Sequence, residues 1–380
     1  MDDRDELRRW LLLLRTPGLG QAALRERLAA NDGNIDAALD HLRRHAATLD
    51  PAARAWLQQP DEARLQADLD WLAEPGHRLL RCVDADFPPQ LEAIAQPPAA
   101  LFVIGDASLL LYPQVAIVGA RGASAGGLAN ARAFARALAL GGLLVTSGMA
   151  DGIDGAAHAA ALDAGAPTLA VIGTGPDRVY PRKHHALATQ IAAQGALVSE
   201  FPPGTAARPD HFPRRNRIIA GLSLGTLVVE ASLQSGSLIT ARLAGEQGRE
   251  VFALPGSIHN PLARGGHRLI REGARLVESP DEILDVLAPA ARDLADELTL
   301  RLRAAPVAAE TKRSKSTAGW RDDPEYQQVL QALGHDPAAL DELTARTGQP
   351  AAALSSMLLM LELEGLIESL PGNRYQRLEG

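Results

Sequence analysis

The chain predicts an α/β protein with a doubly wound, extended Rossmann-like parallel sheet at its centre, a helical domain before it and a winged-helix domain after it. Three observations carry this. Leucines recur at helical spacing through residues 1 to about 90, and six short β-branched runs then alternate with Gly turns and Ala-rich stretches. The final stretch, Asp322 to Leu378, reads as three short helices and a β-hairpin around Pro371 to Asn373. With 380 residues, 46% of them hydrophobic, the chain can bury the cores of two or three domains.

The first helices follow from Leu7, Leu11 and Leu14, then Leu24 and Leu28, then Leu65, Leu69 and Leu72, giving a SAM- or helix-hairpin-helix-like domain over 1–85. Its TPGLGQ segment, Thr16 to Gln21, reads as a plain helix–helix turn in which Pro and Gly supply geometry. The sharper alternative is a hairpin that offers backbone N–H groups to a DNA phosphate. Asp84 to Asp106 is Pro-rich and then apolar, which predicts a connector laid along the next domain.

Within the core, 86–287, the strands are expected near Val115, Leu143, Thr168, Ala196, Thr226 and Glu250. Helices of crossover length between them imply right-handed βαβ units, and ligands then sit beyond the carboxyl ends of the strands. Residues 288–320, ending in a polar basic stretch, predict a flexible linker to a winged helix at 321–380. Its expected recognition helix, Ala351 to Glu364, holds no Lys or Arg but includes Glu362 and Glu364, so it predicts protein contact or regulation rather than phosphate binding.

A net charge of −8 excludes a protein that coats nucleic acid with its whole surface, but the charge is uneven. Residues 113–287 carry 16 basic against 14 acidic side chains and are the only net-basic region. Cys82 is alone and the ten His fall in no metal spacing, so no disulfide, metal or cofactor is expected. No apolar run reaches membrane length, and the chain reads as cytoplasmic.

Phe212 to Ser223, FPRRNRIIAGLS, places Arg214, Arg215 and Arg217 on about one helical turn. Asp210 answers only one of them, which makes a polyanion the expected partner. The loop GARGASAGG, Gly119 to Gly127, enters an Ala-rich helix and suits a phosphate, with Arg121 projecting from it. In Ser147 to His158, SGMADGIDGAAH, Asp154 and His158 are spaced as a catalytic or metal pair, although a polar pair that orders the loop is the better reading. QSGSLITA, with Ser235, Gly236, Ser237 and Thr240, is a second small-residue loop suited to oxygen anions. No GxSxG elbow surrounds Ser235 or Ser237, and the first loop is neither a GxGxxG nor a P-loop.

Eight motifs in order, VAIVGARGASAGG, SGMADGIDGAAH, GTGPDRVYP, SEFPPG, FPRRNRIIAGLS, VVEASLQSGSLITA, GREVFALPGS and GGHRLIREGA, resemble the bacterial DNA-processing protein A family, also called Smf, over roughly residues 90–285. The resemblance implies a protein without a catalytic reaction that binds single-stranded DNA and helps load RecA onto it during natural transformation. Carried onto this chain, the DNA-binding set is Gly119, Arg121, Ser124, Ser147, Gly148, Lys183, Arg208, Phe212, Arg214, Asn216, Arg217, Ser235, Gly236 and Ser237, with Phe212 stacking on a base. It also implies a homodimer through His267, Leu269, Ile270 and Leu276. The chain departs from the family with GAR where GSR is usual, and with Pro209 where some members have Lys, Arg208 standing beside it. The competing expectation is a nucleotide-binding or nucleotide-hydrolysing enzyme that uses the same Gly-rich loops near Glu230.

Overall fold

The computed structural model describes residues 3–304 and, beyond them, 324–334, 338–347, 349, 354, 357–358, 361, 366–370 and 374–377. The chain divides into two compact units, Met1–Ala305 and Pro306–Gly380.

The first unit begins with α1 (Asp3–Leu14), α2 (Gln21–Ala29), α3 (Ile35–Arg44), α4 (Pro51–Gln58) and α5 (Glu62–Leu72). Each of the last three has a side-chain cap that satisfies orphan N–H groups: Asn34 accepts from Asp36 and Ala37, Asp50 from Ala52 with Pro51 following, and Asp61 from Arg64. Gly18, at φ +73°, permits the tight turn into α2. The helices close around Trp10, Leu11, Leu24, Leu39 and Leu65, and the same cluster takes in Leu79, Ala100 and Phe102 of the following strands.

Those strands are β1 (His77–Arg81) and, after the short α6 (Pro89–Glu92), β2 (Ala100–Gly105). Then follow β3 (Gln114–Val118), α7 (Ala125–Leu140), β4 (Leu144–Ser147), α8 (Ile153–Asp163), β5 (Thr168–Ile172), α9 (His185–Gln194), β6 (Ala196–Ser199), α10 (His211–Leu222), β7 (Gly225–Val228), α11 (Ser237–Glu246), β8 (Glu250–Ala253), α12 (Arg264–Arg271), β9 (Arg275–Leu276) and α13 (Pro280–Ala304). The nine strands form one sheet in the order β1-β2-β6-β5-β4-β3-β7-β8-β9. From β6 to β9 every pairing is parallel; β2 joins β6 antiparallel, and β1 joins β2 antiparallel. All six expected strands are present in the expected α/β arrangement.

Alternation along the strands builds two layers. Ala116, Val118 and Val228 face Leu91, Ile218, Leu222 and Ala241 of α6, α10 and α11, whereas Val115, Ile117 and Leu227 face Phe134, Leu138, Ala157 and Leu287 of α7, α8 and α13. With both faces covered, β3 to β7 are buried along their whole length and mostly apolar.

Three expectations change. Asp84 to Asp106 is not a connector, because ALFVIG within it forms β2, and β1 places the sheet's first strand ahead of the expected 85/86 boundary. Residues 288–304 are not linker but the continuation of α13, held by Leu294 in the core with Leu298 packed against it. The two-residue β9 also extends the sheet.

In the second unit, α14 (Pro324–Leu333), β10 (Ala338–Ala339), α15 (Leu340–Thr347), β11 (Ile367–Leu370) and β12 (Arg374–Arg377) surround Val329, Leu343, Leu358 and Ile367, with strand order β10-β12-β11. Most of Ala351 to Glu364, including Glu362 and Glu364, and the turn at 371–373 lie outside the described residues.

His158 of α8 is fully buried. Thr168 Oγ1 donates to the Val145 carbonyl, so the His158 Nδ1–H donates to Thr168 at 2.8 Å, tying α8 to β4 and β5. Burial lowers the ring's pKa from 6.5 to about 3, with His184 and Arg215 adding to the effect. Between those values the unfolded chain binds a proton that the folded chain refuses, so stability falls as pH falls below 6.5 and is unaffected above it. Denaturant unfolding at pH 7 and pH 5 is expected to show the wild type losing about 2 kcal/mol more than His158→Gln. Equal losses would place the acid sensitivity elsewhere.

Candidate nucleic-acid interface

Strand order reverses between β3, from which the chain winds outward to β6, and β7, from which it winds the other way. At such a reversal the loops after the two strands diverge and leave a crevice. A cleft of ≈ 660 Å³ lies there, walled by the Gly119–Gly122 loop, the start of α10 and the Ser235–Ser237 turn into α11.

The first loop does not hold its expected phosphate on the N-terminus of α7. That position is taken by the carboxylate of Glu230, which accepts from the Ser124 N–H at 2.8 Å and the Ser124 hydroxyl at 2.7 Å, with Asn260 Nδ2 at 3.3 Å. The Ser124 hydroxyl also caps the Gly127 N–H at 3.0 Å. A Cβ on Gly127 would collide with the Glu230 carboxylate, which explains the glycine. The helix dipole is thus neutralised internally and Ser124 is fully engaged. Arg121, by contrast, is exposed and makes no ion pair among the described residues; its guanidinium carbon lies 5.5 Å from the centre of the Phe212 ring.

The arginines of α10 are not the unanswered cluster that their spacing implies. Glu200, at the end of β6, has a side chain without solvent exposure; it accepts from Arg214 Nε at 3.0 Å and from Arg217 Nη2. Arg217 is itself buried, which lowers its pKa against the opposing pull of Glu200. Arg215 is buried as well and donates to the carbonyls of Gly148, at 2.8 Å, and Val171, and to Asn216 Oδ1 at 3.1 Å. Burial lowers its pKa to about 10, opposed by Asp154 and reinforced by Arg121. It remains a cation at neutral pH and clamps the ends of β4 and β5 while forming part of the cleft wall.

Around this clamp other candidates are structural. Ser147 is buried and donates to the Ile117 carbonyl at 2.6 Å. Gly148 is glycine because a Cβ would sit 2.8 Å from Arg215 Nη2. Asp154 accepts from the Gly148 N–H at 3.2 Å and the Ala150 N–H at 3.4 Å; burial raises its pKa and Arg215 opposes the rise. Asp154 and His158 thus have separate partners, His158 being turned to Thr168, and no metal-ligating cluster occurs among the described residues.

The second loop keeps its expected place. Ser235 and Ser237 share a hydrogen bond of 2.7 Å, and Ser235 also takes the first N–H groups of α11, that of Ser237 on its hydroxyl at 3.4 Å and that of Leu238 on its carbonyl at 3.1 Å. Asn216 Nδ2 bonds the Gly236 carbonyl at 3.4 Å, linking α10 to this turn. Phe212 is half-buried, with Arg121, Arg215 and Tyr180 around its ring and Gly173 against its edge. Its surface is therefore already partly covered.

Gly119, Arg121, Phe212, Asn216, Ser235, Gly236 and Ser237 thus come together at the cleft, whereas Ser124, Ser147, Gly148, Lys183, Arg208, Arg214 and Arg217 do not line it. Lys183 and Arg208 are surface cations paired with Asp151 at 2.9 Å and Asp210 at 3.2 Å. Exposed pairs of this kind contribute ~0–1 kcal/mol and open readily to another anion. Arg215, placed by the sequence in the arginine turn but left out of the carried-over DNA-binding set, lines the cleft, and Tyr180 was missed altogether. The signal for Arg215 lies in FPRRN itself, since the arginine next to Asn216 is residue 215. Of the expected dimer residues, Leu269 is 8% exposed and belongs to the core, whereas Leu276 is 46% exposed. His267 bonds the Gly256 carbonyl at 3.0 Å and Ile270 packs against the core from a half-buried position.

Residues 78–288 match the family model of DNA recombination-mediator protein A, and residues 287–373 match that of the DprA winged helix domain. The chain is 43% identical over 350 residues to Protein Smf of Escherichia coli (strain K12), covering 92% of this chain and 89% of that protein. It is 46% identical over 226 residues to DNA processing protein DprA of Streptococcus pneumoniae, covering 60% and 78%. An X-ray structure of DNA processing protein A from Streptococcus pneumoniae superposes with a TM-score of 0.66 at 37% identity, covering 73% of this chain and 97% of that one. A structure of DNA processing protein A from Helicobacter pylori, described as revealing its single-stranded DNA binding mode, gives 0.52 at 28% identity, covering 56% and 96%.

Removing Glu200 leaves Arg217 buried without its counter-charge. Glu200→Ala is expected to lose about 3–5 kcal/mol of stability in urea unfolding, and Arg121→Ala less than about 0.5 kcal/mol. Comparable losses would mean that Glu200 is not what holds the start of α10.

Proposed function

The chain belongs to the DNA recombination-mediator protein A family, and from that premise we propose that it binds single-stranded DNA at the β3/β7 cleft and helps load RecA onto it during natural transformation or other homologous recombination. The observation that carries this is Arg121, an exposed cation without an ion pair among the described residues, on the lip of a cleft whose far wall is the Ser235–Ser237 turn into α11. A strand phosphate bonds Arg121 and the Ser235 and Ser237 hydroxyls, a set that recognises backbone and not sequence. Lys183 and Arg208 exchange their surface carboxylates for neighbouring phosphates. Arg214, with a side chain 44% exposed, adds a shared cation, while Arg215 and Arg217 hold the frame.

The single-stranded DNA binding described for the Helicobacter pylori relative supports this reading. The nucleotide-enzyme alternative has less to stand on, because Asp154 faces Arg215 and two N–H groups, and Glu230 is held by Ser124 and Asn260. The protein acts in the cytoplasm without a cofactor; no helix among the described residues is long and apolar enough to cross a membrane. It works as a homodimer through His267, Ile270 and Leu276, which sets two clefts on one strand and raises avidity through effective concentration.

Fluorescence anisotropy with labelled oligo-dT, titrated over salt, tests the reading. Arg121→Glu is expected to weaken binding about 100-fold at an unchanged urea midpoint, and Arg121→Ala to flatten the salt dependence by about 0.7 log units per log unit of salt. Retained affinity in Arg121→Glu would remove the residue from the site. In sedimentation velocity, Leu276→Glu is expected to convert the dimer to monomer, and a persistent dimer would move the interface elsewhere.

A further inference from the structure

Tyr180 belongs to the GTGPDRVYP segment after β5 and takes no part in the site as the sequence reads it. The residue is 45% exposed, and it lines both the main cleft and a small adjoining recess shared with Arg121, Gly148 and Phe212. Its centroid lies 5.5 Å from that of Phe212 with the planes tilted by 40°. A base slipped between two rings needs them about 7 Å apart, twice the stacking distance, and near parallel. The pair is therefore too close and too tilted to act as a two-sided clamp.

Phe212 is also poorly free to serve alone. Arg121 stands over it at 5.5 Å and Arg215 at 6.0 Å, and Arg215 is fixed by its bonds to two strand-end carbonyls. A Cβ at Gly173 would lie only 3.0 Å from Phe212 Cδ1, so the ring rests against backbone. Phe212 orders cations. Tyr180, beside it, is the aromatic surface left open at the place where Arg121 meets a phosphate.

We infer that Tyr180 is a nucleobase platform: the base attached to the phosphate held by Arg121 stacks on the exposed Tyr180 ring, while Phe212 supports that ring and Arg121 from behind. This rests on the single-stranded DNA reading above. Every base presents a π-face, so the subsite tolerates any sequence and distinguishes a base from none.

Affinities for oligo-dT and for an abasic oligonucleotide of equal length and charge separate the base from the backbone. The wild type is expected to prefer oligo-dT about tenfold. Tyr180→Ala brings that ratio to about one, Tyr180→Phe keeps it, and Phe212→Ala weakens both ligands while keeping a preference. A wild type that binds neither ligand removes the proposed function and this inference with it. A wild type that binds both alike, or a Tyr180→Ala protein that keeps the preference, overturns the base platform and leaves DNA binding standing.

Discussion

Glu200 holds together parts of the chain that have no other reason to meet. Its carboxylate, without solvent contact, pairs with Arg214 and Arg217 of α10, and its backbone carbonyl accepts from Gln21 Nε2 at 3.4 Å. Gln21 accepts in turn from the Ala99 N–H at 2.8 Å, and Arg15, paired with Asp68, donates to the Pro203 carbonyl at 2.8 Å. The N-terminal helices, the β6 loop and the start of α10 therefore form one polar framework. A buried ion pair of this kind adds little net stability over an apolar equivalent, but losing one member leaves a stranded charge. Its consequence is placement: Asn216 reaches the Gly236 carbonyl and Arg215 reaches Gly148 because α10 cannot rotate away from Glu200.

Glu230 applies the same physics at the other loop. A helix start attracts an anion, and here the protein supplies its own. The Gly-rich loop after β3 is consequently scaffold at its helix end and ligand-facing only at its tip, where Arg121 stands. Of two similar-looking small-residue loops, the one after β7 has no carboxylate on its helix start, where Ser235 and Gly236 take the first N–H groups and the serine hydroxyls face the cleft. Internal carboxylates thus select which of several anion-ready features remains open.

The six central strands and their winding were legible because each buries both faces and so reads as an unbroken apolar run between Gly turns. β2 was hidden by the prolines that precede it, and α13 by its charges and by Pro289, although Ile283, Leu287, Leu294 and Leu298 keep helical spacing. In the cleft, motif order located the loops correctly, but spacing along α10 misjudged the arginines. Their partner, Glu200, lies on a different element, and a one-dimensional count of neighbouring charges sees only Asp210. Ser147 and Gly148 looked like ligand donors for a related reason, since small residues after a strand serve equally to admit a buried guanidinium.

A cleft with Arg121 unpaired among the described residues at its lip, two serine hydroxyls on its far wall and several loosely paired surface cations grips a polyanion through few direct charges. For a chain of net charge −8, each such contact works against the surrounding field and is weakened by salt. A single site of this design holds a strand reversibly, and strength comes from repeating it. In the proposed role that is an advantage: a protein that must pass its strand to another needs contacts released one phosphate at a time. The framework behind the cleft is compatible with this, because the residues that hold the site in shape, Glu200, Arg215 and Arg217, are buried and take their partners from within the protein.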